Sequence, residues 1–274
     1  MELNNQRIVL TGAGGGIGQI LSSLLIARGA RLCRLIRSPD IGSNFEAKGT
    51  DRRSQTLTLV CDITQADQRE EVIQRLQREW GGVDILINLA GVLDFNAFQD
   101  QSPDILHRMI QVNVEAPMQL ARALLPDMLD QGHGRIVNVG SMFGSIGFPF
   151  FAVYSATKFA LRGYSQALRR ELAGTGVGVT YVSPRAVRTP LNPPVVHEMA
   201  ASGVMHMDEP EPIAQAIVQA IEKERSEVYL GFPESFFARI NALLPGLIDK
   251  ALAKQTAILR RYAVNQKSHQ ETVD

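Results

Sequence analysis

Short apolar runs alternate with longer amphipathic segments along most of this chain. The runs are apolar at almost every position, which is typical of strands whose two faces are both buried. Strands are predicted at 7–11, 31–36, 56–62, 83–91, 134–141 and 176–184, and a further run at 226–231 closes the series. Because strands that alternate with helices form βαβ units, the pattern predicts an α/β fold with a parallel sheet covered by helices on both faces.

The segments between the strands carry apolar residues every three or four positions, as in a helix with one buried face. Helices are predicted at 18–29, 65–80, 102–130 and 211–224, with another after the fifth strand. Pro117 and Pro126 are expected to bend the long helix. The sequence contains no internal repeat and no low-complexity linker. We therefore predict a single domain over residues 1–232.

The tail of the chain departs from this alternation. Residues 235–263 combine apolar positions with scattered cations, which predicts a helix that covers a hydrophobic surface. We treat 233–274 as a C-terminal helical extension that packs on the domain or on a second subunit. A peripheral contact with a membrane interface is the alternative, although Asp249 and the prolines weaken it.

Composition and charge narrow the class of protein. Of the 274 residues, 45% are hydrophobic and 20% are charged, an ordinary globular balance. The 28 basic and 28 acidic residues give no net charge that would indicate a nucleic-acid partner. No apolar window is long enough to span a membrane. The N-terminus lacks a secretory signal, and Cys33 and Cys61 lie in apolar runs, so we expect a cytoplasmic protein with two reduced core cysteines.

A glycine-rich turn, TGAGGGIG at 11–18, lies between the first strand and the first helix. Glycines let the backbone turn tightly and approach a ligand, and the helix N-terminus offers free N–H groups to a phosphate. The spacing of the glycines differs from G-x-G-x-x-G. A purely structural turn is therefore the alternative, but the position after the first strand favours dinucleotide binding.

The end of the second strand indicates which dinucleotide would bind. An acid there would hold the adenosine ribose, whereas an arginine would accommodate a 2′-phosphate. Here Ile36 occupies the position of the acid and Arg37 follows it. Arginine suits bidentate phosphate recognition, so NADP(H) is preferred. NAD(H) stays open, because Arg37 could be a plain surface charge and Asp40 lies nearby.

The stretch VYSATKFAL at 153–161 places Tyr154 and Lys158 one helical turn apart. An adjacent ammonium favours the phenolate and would lower the pKa of the tyrosine, which could then act as an acid or a base. Ser155 and Lys158 also match the S-x-x-K spacing of a serine nucleophile. The S-D-N and K-T-G partners of that class are absent from the sequence, as is a G-x-S-x-G elbow, which argues against a hydrolase.

Taken in order, these motifs resemble the short-chain dehydrogenase/reductase family over residues 5–232. The glycine turn matches T-G-x-x-x-G-x-G, and Tyr154 with Lys158 matches Y-x-x-x-K. CDIT at 61–64, NLAG at 88–91 and SPRAVRT at 183–189 resemble further family segments. The resemblance implies a Rossmann-type fold, a three-layer αβα doubly wound parallel sheet. The cofactor-binding residues that it implies are Thr11, Gly12, Gly14, Gly15, Gly16, Ile17, Gly18, Arg37, Asp62, Ile63, Asn88, Ala90, Gly91, Tyr154, Lys158, Pro184, Val187 and Thr189.

The resemblance also implies catalytic roles. Tyr154 would be the general acid or base, and Lys158 would bind the nicotinamide ribose and lower the pKa of that tyrosine. Ser141 would hydrogen-bond the substrate oxygen, and Asn113 would hold a water in a proton relay behind Lys158. The activity implied is the interconversion of a ketone and a secondary alcohol. A homodimer or homotetramer through the helices at 102–130 and 152–173 is implied as well.

Two positions depart from the family pattern. Leu89 replaces an asparagine, which we expect the site to tolerate because the backbone can do the work there. Arg185 replaces a glycine next to the nicotinamide, so the loop is expected to be reshaped. The side chain of Arg185 would either face solvent or reach an anionic group of the substrate.

Apolar residues predominate near the expected reaction centre, which favours a hydrophobic ketone or alcohol of lipid, steroid or acyl type. Some of these side chains could instead be plain core. His197 and His206 are expected on the surface, and no metal-ligand spacing is present. A non-catalytic NADP-binding sensor or scaffold and a related lyase or epimerase are the rival classes. The apolar residues are Phe95, Phe98, Met142, Phe143, Phe148, Phe150 and Phe151, with Leu191, Val195, Val196, Met199, Val204, Met205 and Met207 from a substrate lid at 190–209.

Overall fold

A computed structural model describes residues 1–38 and 56–270. Seven parallel strands of this part form one sheet in the order β3-β2-β1-β4-β5-β6-β9. A separate two-stranded ladder pairs β7 with β8. The strands are β1 Arg7–Thr11, β2 Arg31–Ile36, β3 Thr56–Val60, β4 Ile85–Asn88, β5 Gly134–Val139, β6 Val177–Ser183, β7 Ala186–Val187, β8 Met207–Asp208 and β9 Glu227–Tyr229.

Helices cover both faces of the sheet, which confirms the predicted Rossmann-type three-layer fold. One apolar layer packs under α2, α4 and α5, and the other under α1 and α7. The helices are α1 Gly16–Ala27, α2 Ala66–Trp80, α3 Pro103–Ile110, α4 Ala116–Gln131, α5 Ala152–Glu171, α6 Pro194–Ala201, α7 Pro210–Glu222, α8 Glu234–Leu243 and α9 Pro245–Gln270. Short 3₁₀ turns lie at Phe98–Asp100 and Met142–Gly144.

The strand order changes direction between β1 and β4, and this change positions the functional site. From β1 the chain builds outward through β2 and β3, whereas from β4 it builds to the other side through β5, β6 and β9. The first connections on the two sides diverge, so a crevice opens beyond the carboxyl ends of β1 and β4. Ligands of doubly wound sheets bind in such a crevice.

The helix predicted over 102–130 is divided by a turn of a different helical type. A π-helical turn at Gln111–Glu115 separates α3 from α4. Pro117 lies in the first turn of α4, directly after the π-helical turn, and Pro126 lies inside that helix. The change of helical type lies just before Pro117, and the bends at Pro117 and Pro126 stay predictions.

The two cysteines are buried core residues, as predicted. Cys33 on β2 and Cys61 after β3 are both free and pack in the layer under α2. Burial raises the pKa of Cys33 to about 12 and that of Cys61 to about 11. Both thiols are consequently held in the protonated, unreactive form.

Candidate active site

The glycine turn packs tightly against the end of β4. Gly12 has φ 68, and a Cβ on it would lie 2.8 Å from the Ala90 Cα. A Cβ on Gly18 would lie 2.1 Å from the Gly12 carbonyl oxygen. Any side chain at either position would push the turn away from β4 or unwind the start of α1. These glycines therefore fix the shape of the crevice.

The start of α1 fits a phosphate group. Gly15 precedes the helix, and among the described residues no side chain caps its N-terminus or places an acid in its first turn. Several backbone N–H groups there lack an intrahelical acceptor, and the helix dipole favours an anion. Gly14 and Gly15 carry no side chain that could block the approach, and a Cβ on Gly16 would lie 2.7 Å from the Thr189 side chain. The turn therefore fits the diphosphate of a dinucleotide.

Two of the predicted cofactor residues connect strands inside the protein. The buried Thr11 hydroxyl accepts hydrogen bonds from the backbone N–H groups of Leu89 and Ala90, each at 3.1 Å. The Asn88 amide donates to the Asn138 amide oxygen at 2.9 Å, also in a buried position. These side chains hold the ends of β1, β4 and β5 in register, so they position the crevice from behind.

The residues predicted to contact the adenosine half lie at the ends of β2 and β3. Arg37 is exposed directly after β2, while Asp40 lies outside the described residues. Asp62 accepts hydrogen bonds from the Thr64 N–H and hydroxyl and pairs with Arg108 at 3.1 Å. Partial burial acts to raise the pKa of Asp62, but the bonds from Thr64 and Arg108 outweigh it and lower that pKa. Asp62 is thus held as a carboxylate at neutral pH.

Tyr154 and Lys158 lie on the buried face of α5, and Ser141 follows β5. The Lys158 Nζ donates to the Val139 carbonyl oxygen at 3.3 Å and lies 5.6 Å from the centre of the Tyr154 ring. The two side chains therefore face the same space at the carboxyl end of β5, as their spacing predicts.

Burial dominates the proton affinities of this pair. It raises the pKa of Tyr154 to about 12, against the opposite effect of a hydrogen bond with Ser141. Burial also lowers the pKa of Lys158 to about 8. The expected lowering of the tyrosine pKa by the ammonium is therefore not observed, because removal from water disfavours both charged forms.

The π-helical turn between α3 and α4 carries Asn113. The Asn113 amide oxygen accepts from the Val92 N–H at 2.9 Å, and its amide nitrogen donates to the Val92 carbonyl at 2.8 Å and to the Thr157 hydroxyl at 3.1 Å. A Cβ on Gly91 would lie 3.4 Å from Asn113 Oδ1 and 3.7 Å from Lys158 Nζ. Asn113 is thus fixed beside Lys158, and its role in a water relay stays a prediction.

Ser141, Tyr154 and Lys158 line one cavity of about 490 Å³, which we call the chamber. Gly91, Pro184, Val187, Thr189 and Ile17 of the predicted cofactor set line it as well. Its other walls are mainly apolar. Predicted apolar residues that line it are Met142, Phe143, Phe148, Phe151, Leu191, Val196, Val204 and Met205.

The remaining apolar residues of the prediction lie elsewhere. Phe98 is 65% exposed on the surface. Phe95, Phe150, Val195, Met199 and Met207 pack in an apolar cluster behind the chamber. They are core residues, which is the alternative that the sequence analysis gives for some of these apolar side chains.

The polar residues that flank the chamber include a buried serine, a buried tyrosine and two histidines. The Ser155 hydroxyl is buried and accepts from the Phe148 N–H at 3.3 Å, so it braces that loop. His206 is exposed, as predicted, but also lines the chamber, and His197 is within 3.3 Å of the Thr189 carbonyl. Tyr181, which the sequence did not single out, is fully buried and donates to the Ser141 carbonyl at 3.4 Å.

The side chain of Arg185 is mostly buried and held by carboxylates of the chain, which corrects the expectation that it faces solvent. Arg185 also lines the chamber, and a contact with an anionic group of the substrate stays a prediction. Its guanidinium donates to both carboxylate oxygens of Asp208, at 2.9 and 2.7 Å, and to Glu234 at 3.1 Å. A third contact reaches the Phe232 carbonyl at 3.2 Å. Arg185 thereby connects β8 to the start of α8. Its planar fork satisfies two carboxylates at once, which a glycine could not do.

The C-terminal extension forms one wall of the chamber. Helices α8 and α9, which we call the C-terminal hairpin, contact each other and pack on the turn after Ser141 and on α6. The packing confirms that the tail covers an apolar surface, but it folds as two helices where one was expected, because Leu244 leaves the helical conformation before Pro245. The hairpin segment lines the chamber with Pro233, Glu234, Phe237, Ile248, Ala251, Leu252 and Gln255.

Comparison with known proteins shows the family to which the chain belongs. The model of the short chain dehydrogenase family matches residues 6–200, so the chain belongs to that family of oxidoreductases. An uncharacterised oxidoreductase of Staphylococcus aureus is 33% identical over 227 residues, which cover 81% of this chain and 94% of that protein. The ketoacyl reductase HetN of a Nostoc species is 31% identical over 226 residues, covering 82% and 78%.

Solved structures show the same fold. A short chain dehydrogenase from Burkholderia cenocepacia in complex with NADP has a TM-score of 0.76 at 24% identity, covering 92% of this chain and 99% of that one. A short chain dehydrogenase/reductase from Burkholderia phymatum in complex with NAD has a TM-score of 0.79 at 21% identity, covering 90% and 96%. Among the described residues, no helix is long and apolar enough to cross a membrane.

Proposed function

We propose that this oxidoreductase uses NADP(H) to interconvert a hydrophobic ketone and its secondary alcohol. The observation that carries the proposal is the convergence of Ser141, Tyr154 and Lys158 on one mainly apolar chamber. The chamber lies beyond the carboxyl ends of the strands, next to the glycine turn that fits a dinucleotide.

The residues of the chain would share the work as follows. A bound nicotinamide would supply or accept the hydride. Tyr154 would donate its proton to the oxygen of a ketone during reduction and take a proton from the alcohol in the reverse direction. Ser141 would hold the same oxygen by a hydrogen bond, and Lys158 would bind the cofactor ribose. With an apolar substrate bound, the mainly apolar walls would exclude water, so these hydrogen bonds would act in a low-dielectric space.

The raised pKa of Tyr154 favours ketone reduction at neutral pH. A tyrosine with a pKa of about 12 is protonated and ready to donate. Lys158, with a pKa near 8, is mostly charged at neutral pH, and its positive charge would stabilise the phenolate left after the transfer. The pair therefore acts as a proton donor with a fixed counter-charge beside it.

Cofactor preference would be set at the exposed Arg37. The two Burkholderia structures hold NADP in one case and NAD in the other, so the fold alone does not choose. Arg37 directly follows β2, where a 2′-phosphate would lie next to its guanidinium. We therefore propose NADP(H) over NAD(H).

Replacing Arg37 by aspartate is expected to lower the NADPH/NADH ratio of kcat/KM by roughly 10- to 100-fold. A charge-assisted hydrogen bond contributes about 1.5–3 kcal/mol, and an aspartate would also repel the phosphate. Initial rates with each cofactor measure the ratio. Arg122→Asp, which makes the same charge change at an exposed position of α4, is the matched control. An unchanged ratio in Arg37→Asp would refute the 2′-phosphate assignment.

The apolar chamber favours a lipid-like, steroid-like or acyl-chain ketone. The name of the Nostoc relative, a ketoacyl reductase, supports the acyl type among these. Each methylene buried contributes about 0.8 kcal/mol, or roughly a fourfold gain in kcat/KM. A panel of ketones with growing apolar chains, followed by loss of NADPH absorbance, should show that gain until the chamber is filled. A preference for small polar sugars would contradict the substrate class.

The same panel separates an enzyme from the rival functions. A redox sensor or scaffold would bind NADPH without consuming it, and a lyase or epimerase would turn over substrate without net NADPH loss. Asn113, Ser141, Tyr154 and Lys158 together favour an oxidoreductase. We also propose a homodimer or homotetramer through α3, α4 and α5, the association that the family resemblance implies.

A further inference from the structure

The tip of the C-terminal hairpin is a concentrated exposed apolar surface. Leu243 ends α8, Leu244 lies between the two helices and Leu247 lies in the first turn of α9. These three side chains are 80%, 62% and 57% exposed. Phe232, Phe236 and Phe237, at and just before α8, are also exposed. Single exposed leucines need no explanation, but a cluster of this kind marks an interaction surface.

Helix α9 has two different long faces. Its inner face packs on the domain: Ile248 joins an apolar cluster with Met142, and Leu259 and Ala263 join the cluster behind the chamber. Its outer face carries Leu247, Lys250, Lys254, Ile258 and Arg261 at positions i, i+3, i+7, i+11 and i+14, all of them exposed. The outer face is therefore cationic and apolar along its length, while the inner face anchors the helix.

The charge of the C-terminal hairpin distinguishes between a second subunit and an anionic lipid surface as its binding partner. Residues 236–264 contain five cations and one acid, whereas the whole chain has no net charge. The cations are Arg239, Lys250, Lys254, Arg260 and Arg261, and the acid is Asp249. A symmetric pair of subunits would place the same patch against itself and oppose like charges. An anionic surface with an apolar interior satisfies both the leucines and the cations.

We propose that the C-terminal hairpin docks on an anionic lipid bilayer, with the leucine tip in the interface and the cations at the headgroups. The same hairpin forms a wall of the chamber, and Phe237 both lines the chamber and is exposed. A lipid-like ketone would reach Tyr154 directly from the docked surface. This last step, on substrate entry, rests on the proposed function; the docking itself does not.

Vesicle co-sedimentation tests the docking with the full-length protein. Vesicles of phosphatidylcholine mixed with phosphatidylglycerol should bind it, and vesicles of phosphatidylcholine alone should bind it more weakly. Leu243→Ser, Leu244→Ser and Leu247→Ser combined should weaken binding at least tenfold, since each leucine buries apolar area. Phe98→Ser, which removes an equally exposed apolar side chain outside the hairpin, should bind as wild type. Equal binding by the triple variant and wild type would overturn the proposal.

The cations have their own test. Lys250→Gln and Lys254→Gln should each weaken binding to the anionic vesicles by about fivefold, and added salt should shrink the difference. Sedimentation velocity of wild type and the triple leucine variant distinguishes a subunit contact. If the three leucine substitutions dissociate an oligomer that the wild type forms, and the wild type does not bind the vesicles, the hairpin surface is a contact between copies. The proposal then fails.

Turnover separates this proposal from the proposed function. The tip leucines project outside, so the triple variant should reduce a short, water-soluble ketone at the wild-type rate. Its deficit should appear only when a long-chain ketone is supplied in vesicles. Wild type that binds vesicles but never consumes NADPH would contradict the proposed function alone, whereas wild type that turns over ketones without binding vesicles would contradict the docking alone.

Discussion

Replacing Tyr154 by phenylalanine is expected to lower kcat by roughly 10²–10⁴-fold, the usual contribution of general acid–base catalysis. The substitution removes only the hydroxyl. The ring would keep its edge contacts with Phe143 and Phe151, whose centroids lie 6.3 and 6.4 Å away. The chamber should therefore retain its shape, and the loss would come from the missing proton donor.

The Kd for NADPH should stay within about twofold of the wild-type value. It is measured by following NADPH fluorescence as the variant is added. Tyr164→Phe is the matched control, because Tyr164 lies on the same helix but packs in the layer under α2 and α4. It should retain turnover. Near-normal ketone reduction by Tyr154→Phe would overturn the mechanism, and loss of NADPH binding would show that the hydroxyl acts on the cofactor.

The features that can be predicted from the sequence are those formed by residues close together along the chain. The buried strands are contiguous runs, so β1 and β2 were predicted at their observed limits of 7–11 and 31–36. The glycine turn and the Tyr154–Lys158 pair are each confined to one short segment. Strand ends such as 89–91 were predicted as strand because they are apolar, although the chain already leaves the sheet after Asn88.

Features that depend on distant partners could not be predicted in this way. The sequence shows Arg185 only as a replacement of the family glycine. Its ion pairs could not be predicted, because its partners Asp208 and Glu234 are 23 and 49 positions away. The π-helical turn that holds Asn113 lies within a continuous helical periodicity, because one extra residue hardly changes the apolar spacing. The pKa of Tyr154 depends on how deeply its side chain is buried, and the spacing of residues along the sequence does not give that depth.

The C-terminal extension shows the same limit. Its apolar positions predict a covered surface, but the surface is assembled from Met142, Ile146 and the lid, which are distant in sequence. Sequence spacing likewise could not separate Phe143 and Phe151, which line the chamber, from Phe95 in the core behind it. The division of the chain at residue 232 stays a prediction.

Replacing Lys158 by methionine is expected to abolish most activity while stabilising the fold. Removal of a preorganised charged donor from an active site lowers kcat by roughly 10²–10³-fold. The stabilisation follows from burial, which lowers the pKa of Lys158 from 10.5 to about 8. At neutral pH the folded protein must therefore hold an unfavourable buried ammonium, which methionine of similar length removes. A gain on the order of 1–3 kcal/mol in the free energy of unfolding is expected.

The pH dependence of the gain in unfolding free energy shows whether the gain comes from removal of the buried charge or from better packing. Because the folded pKa lies below the unfolded one, the unfolded chain binds more protons between pH 8 and 10.5, and wild-type stability from this group rises with pH across that window. The advantage of Lys158→Met should be largest below pH 8 and shrink towards pH 10.5. Denaturant unfolding of both proteins at neutral and high pH measures it, with the exposed Lys250→Met as control. A difference that does not change with pH would mean that methionine acts through packing, and that burial does not lower the pKa of Lys158.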